Sequence, residues 1–257
     1  MAIEVFRRSE KKYVIDNEAY LKMRNFLKTY MISDKYNKDD NTYHISNIYY
    51  DTHDDYLVRN SIEKPIYKEK IRLRTYGTPD LNSFSYIELK KKYNGITYKR
   101  RTKIKLYEAY DFLNNKIFPE NNGYINKQVL NEISYFISVY NPVPKIKISY
   151  DRYAFFSLDT KDLRVSFDRN IFFNTENLQL ESSEKGNRLL KEDYWILEIK
   201  AEKGIPIWLT NYLSENKIYS TGFSKYGSIH KRLISLTKED DKCFMQQQLP
   251  LLAKSLL

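Results

Sequence analysis

Residues 65–76, PIYKEKIRLRTY, decide the fold of this chain. Within this stretch, cations occupy every second position: Lys68, Lys70, Arg72 and Arg74. Ile71 and Leu73 stand between them. Because successive side chains of a strand point to opposite faces, this spacing predicts a β-strand with one cationic face and one apolar face. For a single strand, a charged face turned towards solvent would be a sufficient explanation.

The same alternation recurs along the chain, which indicates one shared charged surface rather than several solvated ones. It is found in residues 8–12, 86–92, 150–152, 164–168 and 196–200. Two arrangements remain open at this point. Either the apolar faces pack outward against helices and the charged stripes line an interior, or the charges face solvent around an ordinary core. Burying unpaired cations is costly, so an interior of the first kind must stay wet and bind anions.

Periodicity and turn residues predict about eight strands and several helices. The predicted strands are residues 3–15, 44–51, 65–76, 84–92, 96–106, 145–156, 163–169 and 194–201. The predicted helices are residues 16–31, 126–140 and 206–216. A further short helix follows a loop at 221–227 and ends at about Leu236. Eight antiparallel strands can close into a barrel. The predicted fold class is therefore α+β, an eight-stranded antiparallel β-barrel with helices packed around it.

One turn is specified more strongly than the others. Asn94 and Gly95 are the strongest short signal for a two-residue β-hairpin. The register of that hairpin is less certain, because a shift by one residue turns every side chain to the opposite face. Either Lys99 and Arg101 or Arg100 could be the inward-facing residues.

Composition limits the classes of function. The 257 residues include only 7 glycines and 7 prolines and no Ser/Gly-rich linker, which favours one domain at residues 1–237 and a tail at 238–257. The formal net charge of +10 indicates a polyanionic partner: nucleic acid, anionic lipid, nucleotide or polyphosphate. The single Cys243 excludes an internal disulfide. Without an apolar run of roughly 18 residues or a signal-peptide core, the expected location is cytoplasmic.

Nine short segments, taken in order, carry a resemblance to a known family. They are residues 10–13 (EKKY), 50–52 (YDT), 70–77 (KIRLRTYG), 88–90 (ELK), 99–101 (KRR), 149–152 (SYDR), 164–168 (RVSFD), 197–200 (LEIK) and 224–226 (SKY). Each is weak alone. Together they resemble the polyphosphate polymerase domain of the vacuolar transporter chaperone (VTC) type, in its bacterial stand-alone form, over roughly residues 4–236. That domain is one of the triphosphate tunnel metalloenzymes, the CYTH-like superfamily.

The resemblance implies an ATP-dependent polyphosphate polymerase that transfers the γ-phosphate of ATP to a growing chain inside a basic tunnel. It implies four catalytic residues: Lys70, Arg72, Arg74 and Lys225. The implied phosphate- or nucleotide-binding residues are Lys12, Lys90, Lys99, Arg101, Arg152, Arg164 and Lys200. Glu198, and with less support Glu10, would bind Mn²⁺ or Mg²⁺. The implied partners are ATP, polyphosphate and a separately encoded membrane protein at the inner face of the membrane, with no nucleic acid.

The chain departs from the hydrolytic branch of this superfamily at one position. That branch carries Glu-x-Glu-x-Lys on its first strand, whereas residues 8–12 here read RSEKK. Arg8 in place of a carboxylate removes a potential metal ligand and adds a cation, which favours holding a long polyanion over activating water.

Other functions remain open from the sequence. A non-catalytic module that binds polyphosphate or inositol phosphates would keep the basic wall, and a triphosphatase or nucleotidyl cyclase would share the fold. Nucleic-acid binding would fit the net charge and the many tyrosines, but it does not explain why the cations occur with a period of two.

Overall fold

The computed structural model describes residues 5–6, 9–120, 123–158, 162–202 and 204–236. The strands in this part of the chain are β1 (Val5–Phe6), β2 (Ser9–Asp16), β3 (Met31–Ser33), β4 (Tyr43–Asp51), β5 (Tyr67–Tyr76), β6 (Phe84–Tyr93), β7 (Ile96–Lys105), β8 (Val143–Ser157), β9 (Leu163–Asn174), β10 (Asn187–Arg188) and β11 (Tyr194–Ala201). The helices are α1 (Asn17–Leu27), α2 (Tyr56–Ile62), α3 (Leu106–Asn115), α4 (Lys127–Tyr140), α5 (Ile207–Glu215) and α6 (residues 225–236).

The strands form one antiparallel sheet that curls round on itself. Its order is β1-β7-β6-β5-β4-β8-β9-β11-β2, with β3 beside β8 and β10 beside β9. The two end strands, β1 and β2, belong to the same N-terminal segment, with only two residues between them. Glu10 on β2 lies 3.2 Å from Lys90 on β6, although these strands are not hydrogen-bonded neighbours. The two end strands are not paired with each other, so the sheet is open, but it curls far enough to surround a lumen. The predicted α+β, barrel-like fold is confirmed, with eleven strands among the described residues in place of the eight predicted.

The apolar faces of the strands point outward, where helices cover them. Ile71, Leu73, Ile87 and Leu89 are fully buried in one cluster with the apolar residues of α3 and α4. A second cluster joins β2, β8, β9 and β11 to α1 and α5. The charged stripes consequently line the interior of the barrel. Of the two arrangements that periodicity left open, the structure has the first.

Part of the barrel interior is apolar, which the alternation did not predict. Ile45, Ile148 and Ile196 have the same strand parity as the lumen-facing charges, yet they form a third buried cluster. Tyr226 and Ile229 of α6 belong to this cluster. Helix α6 is thus packed against one end of the barrel interior, and its first residue, Lys225, lies at the edge of the lumen.

Several predicted boundaries were wrong. Helix α1 ends at Leu27, and Met31 begins β3 instead of the last helical turn. The loop predicted at 221–227 ends earlier, because α6 already begins at residue 225. The Ser224 hydroxyl accepts a 3.3 Å hydrogen bond from the Gly227 amide at the start of that helix.

Helix α3 was not predicted at all. It follows β7 with no intervening loop, and its start is stabilised by the Glu108 carboxylate, which accepts a 3.1 Å hydrogen bond from the Lys105 amide, as in one half of a capping box. The hairpin prediction is confirmed: Asn94 and Gly95 connect β6 to β7 with φ angles of 44° and 82°. Such positive values at both turn residues are what a two-residue hairpin of the favoured hand requires.

Two features named from the sequence, Arg8 and the tail at 238–257, lie outside the described residues. Within the part that the structure describes, no helix is both long and apolar enough to cross a membrane.

Candidate functional site

The charged stripes of the strands meet in a cavity of about 260 Å³ inside the barrel, here called the central cavity. Every candidate residue from the sequence lines it. The cations are Lys12, Lys70, Arg72, Arg74, Lys90, Lys99, Arg101, Arg152, Arg164, Lys200 and Lys225, and the carboxylates are Glu10, Glu88 and Glu198. Eleven cations against three carboxylates leave an excess of eight positive charges among these lining residues. A cavity with this excess attracts anions.

The structure settles which residues of the hairpin face inward. Lys99 and Arg101 line the central cavity, whereas the Arg100 Nε lies 3.2 Å from Glu132 on α4, outside the barrel. Arg100 is therefore an outer-surface residue. Because neighbouring residues of a strand point to opposite faces, this outer contact of Arg100 places Lys99 and Arg101 in the lumen. The sequence alone could not decide this register.

Glu88 on β6 holds three of the cations together. Its carboxylate accepts hydrogen bonds of 2.8 and 2.6 Å from Arg72 and one of 2.8 Å from Lys99, and Arg101 lies 3.5 Å away. Burial alone would raise the pKa of Glu88, but the surrounding cations hold it well below its usual value. Glu88 is thus an ionised, nearly fully buried anchor, and the sequence analysis did not assign it a role.

Asp168 on β9 plays the same part on the opposite wall. Its carboxylate accepts hydrogen bonds of 2.6 and 2.8 Å from Arg152 and one of 2.5 Å from Lys225. Despite complete burial, these two cations lower the pKa of Asp168 to about 2. Asp168 therefore fixes the side chain of Lys225, which comes from α6, beside an arginine from β8.

Two further carboxylates, Glu10 and Glu198, lie together with lysines on the adjoining wall. Lys12 Nζ is 3.0 Å from Glu10 and 3.6 Å from Glu198, and Lys200 is 2.6 Å from Glu198. Burial and the neighbouring Glu198 act to raise the pKa of Glu10, but Lys200, Lys90 and Lys12 lower it to about 2. Both carboxylates are consequently ionised at neutral pH. They are the hard oxygen donors that the lumen offers to a divalent cation.

Arg74 has polar partners but, among the described residues, no carboxylate within ion-pair distance. Its guanidinium donates to Asn47 at 2.8 Å and to the Tyr150 hydroxyl at 3.1 Å, and only 6% of the residue is exposed. These hydrogen bonds fix the orientation of the Arg74 guanidinium, while its charge has no paired carboxylate among the described residues. A buried arginine of this kind is prepared to bind a phosphate.

The placement of Lys225 depends on a buried carboxylate outside the lumen, Asp51. It accepts hydrogen bonds of 2.8 Å from the Leu57 amide and 3.0 Å from the Val58 amide of α2, and 2.9 Å from the Tyr226 hydroxyl. Asp51 is completely buried, and this burial raises its pKa. It thereby ties α2 and α6 to the end of β4. The motif YDT contained this residue, but its spacing carried no hint of the contact.

Two lumen lysines have abnormally low pKa values. Burial, together with Lys68, Lys12 and Lys90, lowers the pKa of Lys70 to about 8. Burial and the charges of Arg72 and Arg74 lower the pKa of Lys99 to about 7, although Glu88 acts in the opposite direction. Tyr49 is affected by the same field: burial would raise its pKa, but Arg72 and Arg74 bring it down to about 8. The lumen thus has a strongly positive potential.

Comparison with known sequences identifies the family. The model of the VTC domain matches residues 7–234, which is most of the chain. The chain belongs to the VTC domain family. No functionally curated protein matches this VTC domain in sequence.

A solved structure shares the fold. A "putative adenylate cyclase" from Bacillus halodurans superposes with a TM-score of 0.54 at 13% identity, covering 86% of this VTC domain and 96% of that chain. At this identity the likeness shows the fold alone. A "putative adenylyl cyclase" from Hippeastrum, described as having a dominant triphosphatase activity, gives a TM-score of 0.47 at 15% identity, with coverages of 86% and 94%.

Replacing Glu88 by Gln should destabilise the VTC domain. The substitution keeps the shape of the side chain but leaves Arg72, Lys99 and Arg101 without their buried counter-charge, so we expect a loss of about 3–5 kcal/mol in the free energy of unfolding. The matched control is Glu132→Gln, which removes a half-exposed partner of Arg100 and should cost about 1 kcal/mol or less. Chemical denaturation measures both. Equal losses in the two variants would contradict the anchoring role of Glu88.

Binding of tripolyphosphate should be linked to uptake of protons near pH 8. Lys70 and Lys99 lose protons as the pH rises through their values of about 8 and 7, while the polyanion binds their protonated forms. Affinity should therefore fall from pH 7 to pH 9. Calorimetry in two buffers of different ionisation enthalpy measures the uptake, which Lys70→Met should reduce. An affinity independent of pH, without proton uptake, would contradict the low pKa values.

Proposed function

We propose that this VTC domain is an ATP-dependent polyphosphate polymerase, which transfers the γ-phosphate of ATP to the end of a growing polyphosphate chain. One observation carries the proposal: eleven cations converge on a lumen that adjoins a wide, lysine-lined cavity. A linear polyanion needs cations along its length and a passage for its free end. A site for a single small anion needs neither.

The reaction requires little of the protein beyond positioning and charge. A terminal oxygen of the polyphosphate chain attacks the γ-phosphorus, a new P–O–P bond forms, and the bond to the β–γ bridging oxygen breaks with its electron pair on ADP. One negative charge passes from nucleotide to chain, so the step balances without a proton. Phosphoryl transfer of this kind is catalysed by oriented cations and needs no protein nucleophile.

The structure suggests a role for each group of side chains. Arg72 and Arg74, held by Glu88 and Asn47, would grip the reacting phosphates with bidentate hydrogen bonds. Lys70 and Lys225 would supply further charge to the transferred group as its bonds change. The remaining lumen cations, from Lys12 to Lys200, would bind the flanking phosphates of nucleotide and chain.

The donor set fits a divalent cation bound together with phosphate. Glu198 is ionised, because Lys200, Lys12 and Arg152 keep its pKa well below the usual value despite burial, and Glu10 lies on the same wall. No group of three or more potential metal ligands occurs among the described residues, so phosphate and water would complete the coordination of Mn²⁺ or Mg²⁺. Such an ion would neutralise charge on the transferred phosphoryl group.

The carboxylates of the lumen favour transfer to phosphate over hydrolysis. An efficient general base has a pKa near the working pH. In contrast, Glu88, Asp168 and Glu198 are all paired with cations, which lower their pKa values. They are therefore weak bases for activating water. A polyphosphate end is already ionised and needs no base.

Product analysis tests the proposal. Purified protein incubated with ATP and Mn²⁺ should release ADP and produce chains that lengthen with time on a gel that resolves polyphosphate. Glu198→Gln should keep its affinity for tripolyphosphate but lose metal-dependent turnover, whereas Glu18→Gln on the outer surface of α1 should behave like the wild type. Inorganic phosphate in stoichiometric amount without polymer would instead identify a triphosphatase. Absence of both products, with binding retained, would identify a binding module.

A further inference from the structure

The size of the central cavity limits what it can enclose. At about 260 Å³ it is smaller than the roughly 300–1,000 Å³ of pockets that enclose a drug-sized ligand. A short run of phosphates fits a space of this size, but a nucleoside in addition does not. The nucleoside part of ATP must therefore lie at one of the two ends of the lumen, and the ends differ in chemistry.

One end opens into a wide lysine-lined cavity of about 790 Å³, here called the lysine vestibule. Its described lining residues include one carboxylate, Glu10, and no arginine. They also include eight lysines: Lys11, Lys12, Lys64, Lys68, Lys70, Lys90, Lys92 and Lys231. Lysine is a strongly hydrated point charge on a flexible stem, so it attracts phosphates without fixing their geometry. This end is suited to an anionic chain that has to move.

The opposite end is built from aromatic rings, here called the tyrosine mouth: Tyr36, Tyr43, Tyr76 and Tyr86. Tyr76 lies at its centre, with ring-centroid distances of 6.5 Å to Tyr36, 6.4 Å to Tyr43 and 5.8 Å to Tyr86. Tyr76 lines the central cavity yet is 41% exposed, and Tyr36 is 58% exposed. The side chains of Tyr36 and Tyr76 at this end are therefore accessible from solvent.

Two arginines connect the tyrosine mouth to the phosphate-binding wall. The Arg101 guanidinium lies 3.6 Å from the centroid of the Tyr86 ring, and Arg164 donates to the Tyr43 hydroxyl at 3.2 Å. Both arginines also line the central cavity. A ligand that combines an aromatic ring with phosphates would therefore contact the tyrosines with its ring and the adjoining arginines with its phosphates.

The change from lysine at one end of the lumen to tyrosine at the other can be followed along single strands. The inward positions of β5 run from Lys68 through Arg72 to Tyr76, eight residues or ~26 Å at ~3.3 Å per residue. Its neighbour β6 changes in the same spatial direction, from Lys92 through Glu88 to Tyr86, since Lys68 pairs with Lys92 and Arg72 with Glu88. Two adjacent strands thus have lysine at one end, an arginine and carboxylate centre, and tyrosine at the other end.

On the basis of the proposed polymerase function, we propose that the lumen has a direction: the nucleobase of ATP stacks on the tyrosine mouth, and the growing polyphosphate leaves through the lysine vestibule. Aromatic faces bind any base by stacking. With the base there, the γ-phosphate lies deepest in the lumen and meets the chain end that reaches in from the vestibule. After transfer, ADP leaves by the tyrosine mouth, and the chain advances by one phosphate towards the lysines.

Binding measurements test the nucleobase half of the proposal without turnover. The probes are tripolyphosphate and an ATP analogue with NH in place of the β–γ bridging oxygen. The double variant Tyr36→Ala/Tyr76→Ala should bind the analogue about 5- to 150-fold more weakly, the range for loss of base stacking, and bind tripolyphosphate like the wild type. Tyr36→Phe/Tyr76→Phe keeps both rings and should restore affinity for the analogue. Unchanged affinity for the analogue in the alanine variant would overturn the proposal, as would equal loss for both probes.

A second double variant tests whether the polyphosphate chain lies in the lysine vestibule. Lys68→Ala/Lys92→Ala should weaken binding of long-chain polyphosphate several-fold and leave affinity for the ATP analogue unchanged. Lys22→Ala, which removes an exposed cation from α1, is the control for net charge. Weakened binding of the analogue, with long-chain affinity intact, would reverse the proposed direction.

These binding outcomes are separate from the test of polymerase activity. Wild-type protein that binds both probes but forms no polymer would contradict the polymerase, while the tyrosine variants would still decide where the base lies. Wild-type protein that binds neither probe would overturn both proposals.

Discussion

An uncompensated positive charge in an enclosed space is the constraint on which the rest of this structure depends. Strands from several sides of the barrel direct ten cations into one cavity, α6 adds an eleventh, and the lining includes three carboxylates. Two like charges about 4 Å apart repel by about 4 kcal/mol at an effective dielectric constant of about 20. The helices outside the barrel and the apolar faces beneath them supply the burial that holds these charges together. The chain therefore has a stable scaffold around a lumen that remains unfavourable without an anion.

The carboxylates inside the lumen position cations and do not neutralise the cavity. Glu88 and Asp168 each hold at least two cations at hydrogen-bond distance, which fixes these cations on two opposite walls before any ligand arrives. Preorganised charge of this kind is what phosphoryl transfer needs, because no reorganisation is then required during the reaction. Among the residues that the structure describes, no carboxylate lies within ion-pair distance of Arg74 or Lys70, so their charges are available to a ligand. This division between anchored and available cations is consistent with a site for a polyanionic chain.

Much of the fold could be predicted from the sequence, because a period of two determines which residues share a face. Every residue proposed as a site from the motifs lies in the lumen. The periodicity could not decide whether that face points inward, since this depends on where helices pack. It could not separate Lys99 and Arg101 from Arg100 either, because three consecutive cations leave the register ambiguous and only the contact with Glu132 on α4 resolves it.

Other features were missed for different physical reasons. Helix α3 follows a strand directly, so no turn residue marked its start. The packing of α6 into the barrel depends on a buried contact between Tyr226 and Asp51, which are 175 residues apart in the chain. The roles of Glu88 and Asp168 as anchors arise from cross-strand geometry, which no local pattern contains. A bound metal and a membrane partner remain predictions.

We expect the lumen to bind a linear chain of phosphates. An experimental structure of the protein with tripolyphosphate tests this expectation. Consecutive phosphates should lie inside the barrel, in contact with Arg72, Arg74 and Lys225 and in line between the tyrosine mouth and the lysine vestibule. Phosphates bound only on the outer surface of the barrel, with an empty lumen at saturating ligand, would contradict it.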